Sequence, residues 1–81
     1  YPQTLVNVRV RKKPDFADYP EITAAVEVVK ASVGREGRID LRYSGTEPLA
    51  RVMVEARDRA TVDSCARLVA EAVRRHLGEK H

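Results

Sequence analysis

The chain has 81 residues, with 15 Lys and Arg against 12 Asp and Glu, a net charge of +3 and a pI near 9.4. A chain of that length builds one two-layer core, burying about 60 to 65% of its unfolded surface, and a second domain is excluded. The charge leans weakly toward anionic partners; the single cysteine, Cys65, rules out an internal disulfide and fits a reducing, cytoplasmic setting, and no apolar run suffices for a membrane span or a signal peptide.

The chain opens on Tyr1 and passes directly into strand-like sequence, the pattern of a segment cut from a longer polypeptide. Residues 4–11 alternate, with Val6, Val8 and Val10 on one parity and Leu5, Asn7, Arg9 and Arg11 on the other, which predicts a half-buried strand. Lys12, Lys13, Pro14 and Asp15 end it, and an irregular connection carrying Phe16 and Tyr19 leads to Pro20, a favoured first residue of a helix. Ile22, Ala25, Val26, Val29 and Val33 then recur at helical spacing up to Gly34. A second strand opens at Gly37, with Ile39 and Leu41 opposite in parity to Arg38, Asp40 and Arg42. A third covers residues 49–57, with Ala50, Val52, Val54 and Ala56 opposite Arg51, Met53, Glu55 and Arg57. From Thr61, an expected N-cap with Asp63 in the first turn, a second helix runs to about Leu77 and stops at Gly78. Its stripe is Val62, Cys65, Ala66, Val69, Ala72 and Val73.

The order strand, helix, strand, strand, helix predicts an α+β fold with two layers. Its antiparallel sheet has 3–4 strands in order 1-3-2, with both helices on one face. A further edge strand is allowed in residues 1–3 or 12–19. The open face should collect Asn7, Arg9, Arg11, Arg38, Asp40, Arg42, Arg51, Glu55 and Arg57, with Asp40 and Glu55 in cross-strand pairs with arginines.

The chemistry concentrates in residues 42–48, Arg-Tyr-Ser-Gly-Thr-Glu-Pro, at the tip of the predicted hairpin. Gly45 lets the backbone take positive φ, so that successive N–H groups can share a concavity. Ser44 and Thr46 add hydroxyls, and Arg42 adds a planar fork suited to phosphate oxygens. Arg51 shares the face of Arg42 near the tip, and two guanidinium groups beside two hydroxyls suit a dianion. Glu47 is an orienting group for Arg42 or another donor, or a solvated carboxylate. The plain alternative for the whole stretch is an ordinary hairpin turn, since Ser, Gly and Pro are common turn residues.

Elsewhere the residues argue for structure. Cys65 lies on an apolar stripe, His76 sits at a helix C-terminus where a cation is welcome, and His81, the last residue, reads as part of an appended tag. Neither a metal-ligand cluster nor a nucleophile with an adjacent base is present, so the chain lacks the parts for acid/base or covalent catalysis. A basic open sheet also suits a single-stranded RNA binder. That mode needs rings on the open face, whereas Tyr1, Phe16 and Tyr19 lie outside the strands and Tyr43 is placed in the loop. No nucleic-acid partner is expected.

Residues 37–55, G-R-I-D-L-R-Y-S-G-T-E-P-L-A-R-V-M-V-E, carry the pattern R-x-S-G-T-E-P-x-x-R-V-M-V-E. This stretch resembles the C-terminal domain of the α-D-phosphohexomutases, most closely that of the bacterial phosphoglucosamine mutases. The likeness extends in weaker form over the opening P-Q-T-L-V-N-V-R-V and the last helix. The resemblance implies a TATA-binding-protein-like fold and a place as the fourth domain of a larger enzyme, with residues 1–81 as that single domain. It implies that Arg42, Ser44, Gly45, Thr46 and Arg51 contact the phosphate of a phosphosugar substrate. The phosphoserine, the Mg²⁺ loop and the sugar-recognition residues are implied in other domains of the same polypeptide. No catalytic residue, metal or other cofactor is therefore expected in this chain, and alone it should be inactive. For a phosphoglucosamine mutase the implied reaction interconverts glucosamine 6-phosphate and glucosamine 1-phosphate through a bisphosphate. Phosphoglucomutase or phosphomannomutase activity is the alternative within the same superfamily.

Overall fold

Alternation along the strands decides the architecture, because residues two apart face the same way. The computed structural model describes residues 1–78. In chain order it contains strand β1 (Gln3–Arg9), a 3₁₀ turn at Phe16–Asp18, helix α1 (Pro20–Val33), strands β2 (Arg38–Tyr43) and β3 (Leu49–Glu55), and helix α2 (Arg59–Leu77). The three strands form one antiparallel sheet in the order β1-β3-β2, as expected. No fourth strand forms among the described residues: Gln3 belongs to β1, and the 12–19 connection holds the 3₁₀ turn. The expectation for His81 lies outside the described residues.

Both helices lie on one face, α2 over β1 and β3 and α1 over β2. Val8, Ala50, Val52 and Val54 are buried beneath them, against Ile22 and Val29 of α1 and Val62, Val69, Val73 and Leu77 of α2. Each fully buried Val or Leu contributes roughly 1.5–3 kcal/mol of transfer free energy. No polar or charged side chain is buried among the described residues. Cys65 is inside, as expected, and burial pushes its thiol pKa up. None of the helices described is long and apolar enough to cross a membrane.

Several boundaries differ from the sequence expectation, each for a local reason. Helix α2 starts two residues before Thr61, and its N-cap is Asp58, whose carboxylate accepts from both Thr61 N and Thr61 Oγ1 at 3.0 Å. Strand β1 stops at Arg9 because Val10 N then donates to Pro48 O (2.8 Å) and Arg11 N to Leu77 O (2.9 Å). Arg11 leaves the open face altogether: its guanidinium donates to the carbonyl of His76 at the end of α2. Strand β3 ends at Glu55, so Arg57 lies past the sheet, paired with Glu36 and Tyr1.

Candidate functional site

The tip of the β2–β3 hairpin is built by strand pairing. Register places Arg42 directly opposite Arg51, and Arg51 in turn opposite Asn7 of β1. Ser44 N donates to Leu49 O (2.9 Å) and Leu49 N to Glu47 O (2.8 Å), which closes the loop. The Ser44 hydroxyl accepts a long 3.4 Å bond from Glu47 N. Gly45, Thr46 and Glu47 are exposed. The five expected contact residues thus share one end of the open face.

The electrostatics differ from expectation in one respect. Glu55 makes the foreseen cross-strand pair, with Arg38 (Nε–Oε1 3.1 Å). Asp40 does not pair across the sheet, because its neighbour on β3 is Met53; it reaches along its own strand to Arg42 Nε at 3.0 Å. Arg42 is therefore oriented by Asp40, leaving its two Nη groups for a ligand. Among the described residues the Glu47 carboxylate and the Arg51 guanidinium make no ion pair. Two arginines facing each other with a single carboxylate nearby suit an incoming anion.

Gly45 does not play the expected backbone role. Among the described residues the one glycine with positive φ is Gly34 (φ 69), at the end of α1. A side chain at Gly45 would meet nothing within 4 Å. Its missing Cβ leaves the loop backbone open to close approach from outside.

Sequence reasoning missed what stands behind the loop. Tyr43 is the last residue of β2 rather than a loop residue, and it faces the helices on the parity of Ile39 and Leu41. Its ring stacks on Phe16 (centroids 4.3 Å apart, interplanar angle 15°) and its hydroxyl donates to Pro14 O at 2.6 Å. Burial, then the nearby Tyr19 and Asp15, raises its phenol pKa. Lys13 Nζ donates to the Ser44 carbonyl at 2.7 Å. The connection after β1 thus forms a strap, tied to Pro48 at one flank of the loop and to Tyr43 and Ser44 at the other. No periodic pattern could have announced these contacts. The Lys-Lys-Pro run was the only signal.

A three-stranded antiparallel sheet with both helices on one face and a cationic, hydroxyl-bearing loop at one end of the other defines a two-layer α+β domain. Comparison with known proteins gives the particular family. The sequence profile of the family described as "Phosphoglucomutase/phosphomannomutase, C-terminal domain" matches residues 5–72, and the chain belongs to that family. It is 51% identical over 79 residues to a phosphoglucosamine mutase of Pelobacter propionicus and 53% identical over 77 residues to one of Solidesulfovibrio magneticus. These alignments cover 98% and 95% of the chain, and the chain spans 17% of the length of each relative. Among solved structures, it superposes with a TM-score of 0.70 and 34% identity on Aspergillus fumigatus N-acetylphosphoglucosamine mutase in complex with GlcNAc-6P and magnesium. That match covers 91% of this chain and 15% of the other.

Proposed function

We propose that residues 42–51 grip the phosphate of a sugar phosphate, as one wall of the active site of a larger phosphosugar mutase of which this chain is the C-terminal domain. The observation that carries the reading is the Arg42–Arg51 register at the mouth of a loop that exposes Gly45 and Thr46. Glucosamine 6-phosphate and glucosamine 1-phosphate are the proposed pair, supported by similarity to phosphoglucosamine mutases. The lone buried thiol of Cys65 suits a cytoplasmic setting.

Guanidinium, hydroxyl and amide groups recognise a dianion rather than a ring, so such a loop can hold the phosphate at either end of the sugar. Holding the non-reacting phosphate supplies remote binding energy that positions the reacting end. The magnesium bound by the Aspergillus relative has no counterpart donor set here: no group of three or more His, Cys, Asp or Glu gathers among the described residues. We propose that the phosphoryl-carrying serine and the metal lie in the rest of the polypeptide.

An NMR titration of the chain with glucosamine 6-phosphate, inorganic phosphate and a short single-stranded RNA tests the reading. Saturable shifts of the 44–46 amides with both phosphates support it. Shifts across Arg9, Arg38 and Arg57 with RNA alone overturn it.

A further inference from the structure

The geometry points to Lys13 as a positioning residue for the phosphate loop, acting through the Ser44–Gly45 peptide; the inference rests on the phosphate reading above. Lys13 lies outside the hairpin, yet its Nζ donates to the Ser44 carbonyl at 2.7 Å. That carbonyl and the Gly45 N–H belong to one peptide unit, planar and trans, so the two point in opposite directions. Fixing the oxygen therefore fixes the direction of the N–H. Gly45 is also where the loop backbone is open to a ligand, since a Cβ there would meet nothing within 4 Å. A cation on the oxygen polarises the same unit and makes its N–H a stronger donor.

The lysine is held for this purpose and is not consumed by another. Among the described residues it has no carboxylate partner. Asp15, two positions along, spends an oxygen on Ala17 N at the 3₁₀ turn. Tyr43 grips the next residue of the strap through Pro14 O at 2.6 Å, so the base of the lysine is anchored close to the carbonyl it serves. Lysine is a compact charge with three donors, and two remain after the bond to Ser44. Because the Gly45 N–H points away from Lys13, the lysine acts through the peptide rather than as a direct phosphate ligand.

The test compares the unsubstituted chain with Lys13→Met, Lys13→Arg and Arg42→Ala by ¹⁵N NMR, titrating each with inorganic phosphate. Lys13→Met is expected to move the Gly45 amide upfield in the free chain and to weaken phosphate binding about tenfold, the worth of one charge-assisted hydrogen bond. Methyl resonances of Val10 and Ile22 should stay in place, which reports an intact core. Lys13→Arg should restore most of the affinity, which a purely structural role for the strap would not require. If Lys13→Met binds phosphate as the unsubstituted chain does while Arg42→Ala is weakened, the Lys13 inference is overturned and the phosphate reading stands. If phosphate leaves the 44–46 amides of the unsubstituted chain unmoved, the phosphate reading falls and Lys13 with it.

Discussion

Arg42 and Arg51 occupy paired positions on neighbouring antiparallel strands, a like-charge pair that the sheet holds together. Like charges directly opposite cost up to a few tenths of a kcal/mol or more, and here a single carboxylate, Asp40, pairs with one of the two. Arg51→Gln should therefore raise the melting temperature slightly at low ionic strength. Phosphate at ten times its Kd should stabilise the unsubstituted chain by about 1.4 kcal/mol by mass action, and the variant should lose most of that gain. Melts in phosphate and chloride at matched ionic strength decide it; equal midpoints for the unsubstituted chain in both salts would sink the phosphate reading.

Tyr43→Phe keeps the ring stacked on Phe16 and removes the hydroxyl bond to Pro14 O. The expected cost is about 1 kcal/mol by urea unfolding. The larger effect should be local, with faster hydrogen exchange at Ser44 N, whose strap has lost one of its ties.

Two glycines near the hairpin should respond oppositely to alanine. At Gly37 a Cβ would stand 2.5 Å from Val33 Cβ and 2.7 Å from Glu55 O, so Gly37→Ala should cost about 2 kcal/mol or more through overpacking. At Gly45 the space is empty and φ is not positive, so Gly45→Ala should leave stability within about 0.5 kcal/mol. Its effect should fall on phosphate affinity, by crowding the backbone approach. Denaturation and titration of the pair separate a structural glycine from a binding one.

Stability should decline on the alkaline side. Burial raises the pKa of Cys65, and burial with Tyr19 and Asp15 raises that of Tyr43. The unfolded thiol and phenol titrate near about 8.5 and 10. Below those values both states are protonated and the contribution is intact. As pH rises past them the unfolded chain releases its protons first, so stability falls until the folded groups ionise as well. Urea midpoints should drop from about pH 8.5 upward, and Cys65→Ala should remove the first part of the fall. On the acid side, the His76 imidazole and then the Arg75 guanidinium beside its carboxylate lower the pKa of Glu21. That contribution is present above the unfolded carboxyl pKa and is lost as pH falls through the folded one; Glu21→Gln should flatten the acid limb.

The fold was legible because its determinants are local. Val6 and Val8, Ile39 and Leu41, and Val52 and Val54 recur at every second position between mostly polar residues, and that parity fixes which face the helices cover. Pro20 and Gly34 mark α1 by φ restriction at one end and a left-handed cap at the other. Arg42 and Arg51 came out as neighbours from parity and loop length alone. What escaped depends on contacts without a period. Lys13 and Ser44 lie 31 residues apart and Tyr43 and Pro14 29, and nothing in strand alternation joins them. The cap lies at Asp58 instead of the expected Thr61 because both residue types cap well, and the outcome turns on which side chain reaches the other's N–H. The direction of Asp40 depended on its having Met53 rather than a cation across the sheet.

The placement of β3 between β1 and β2 has a kinetic side. Strands β2 and β3 are joined by a short loop and can pair early, whereas β1 joins β3 only when Gln3 meets Glu55, across most of the chain. Closing that long loop costs more entropy and comes later. The hairpin that carries Arg42 and Arg51 is thus expected to form before the strap that carries Lys13. Partial unfolding that frees β1 alone would leave the two arginines facing each other while releasing the backbone of Ser44 and Gly45. On this order the loop is expected to reach its final shape in a late, long-range step of folding.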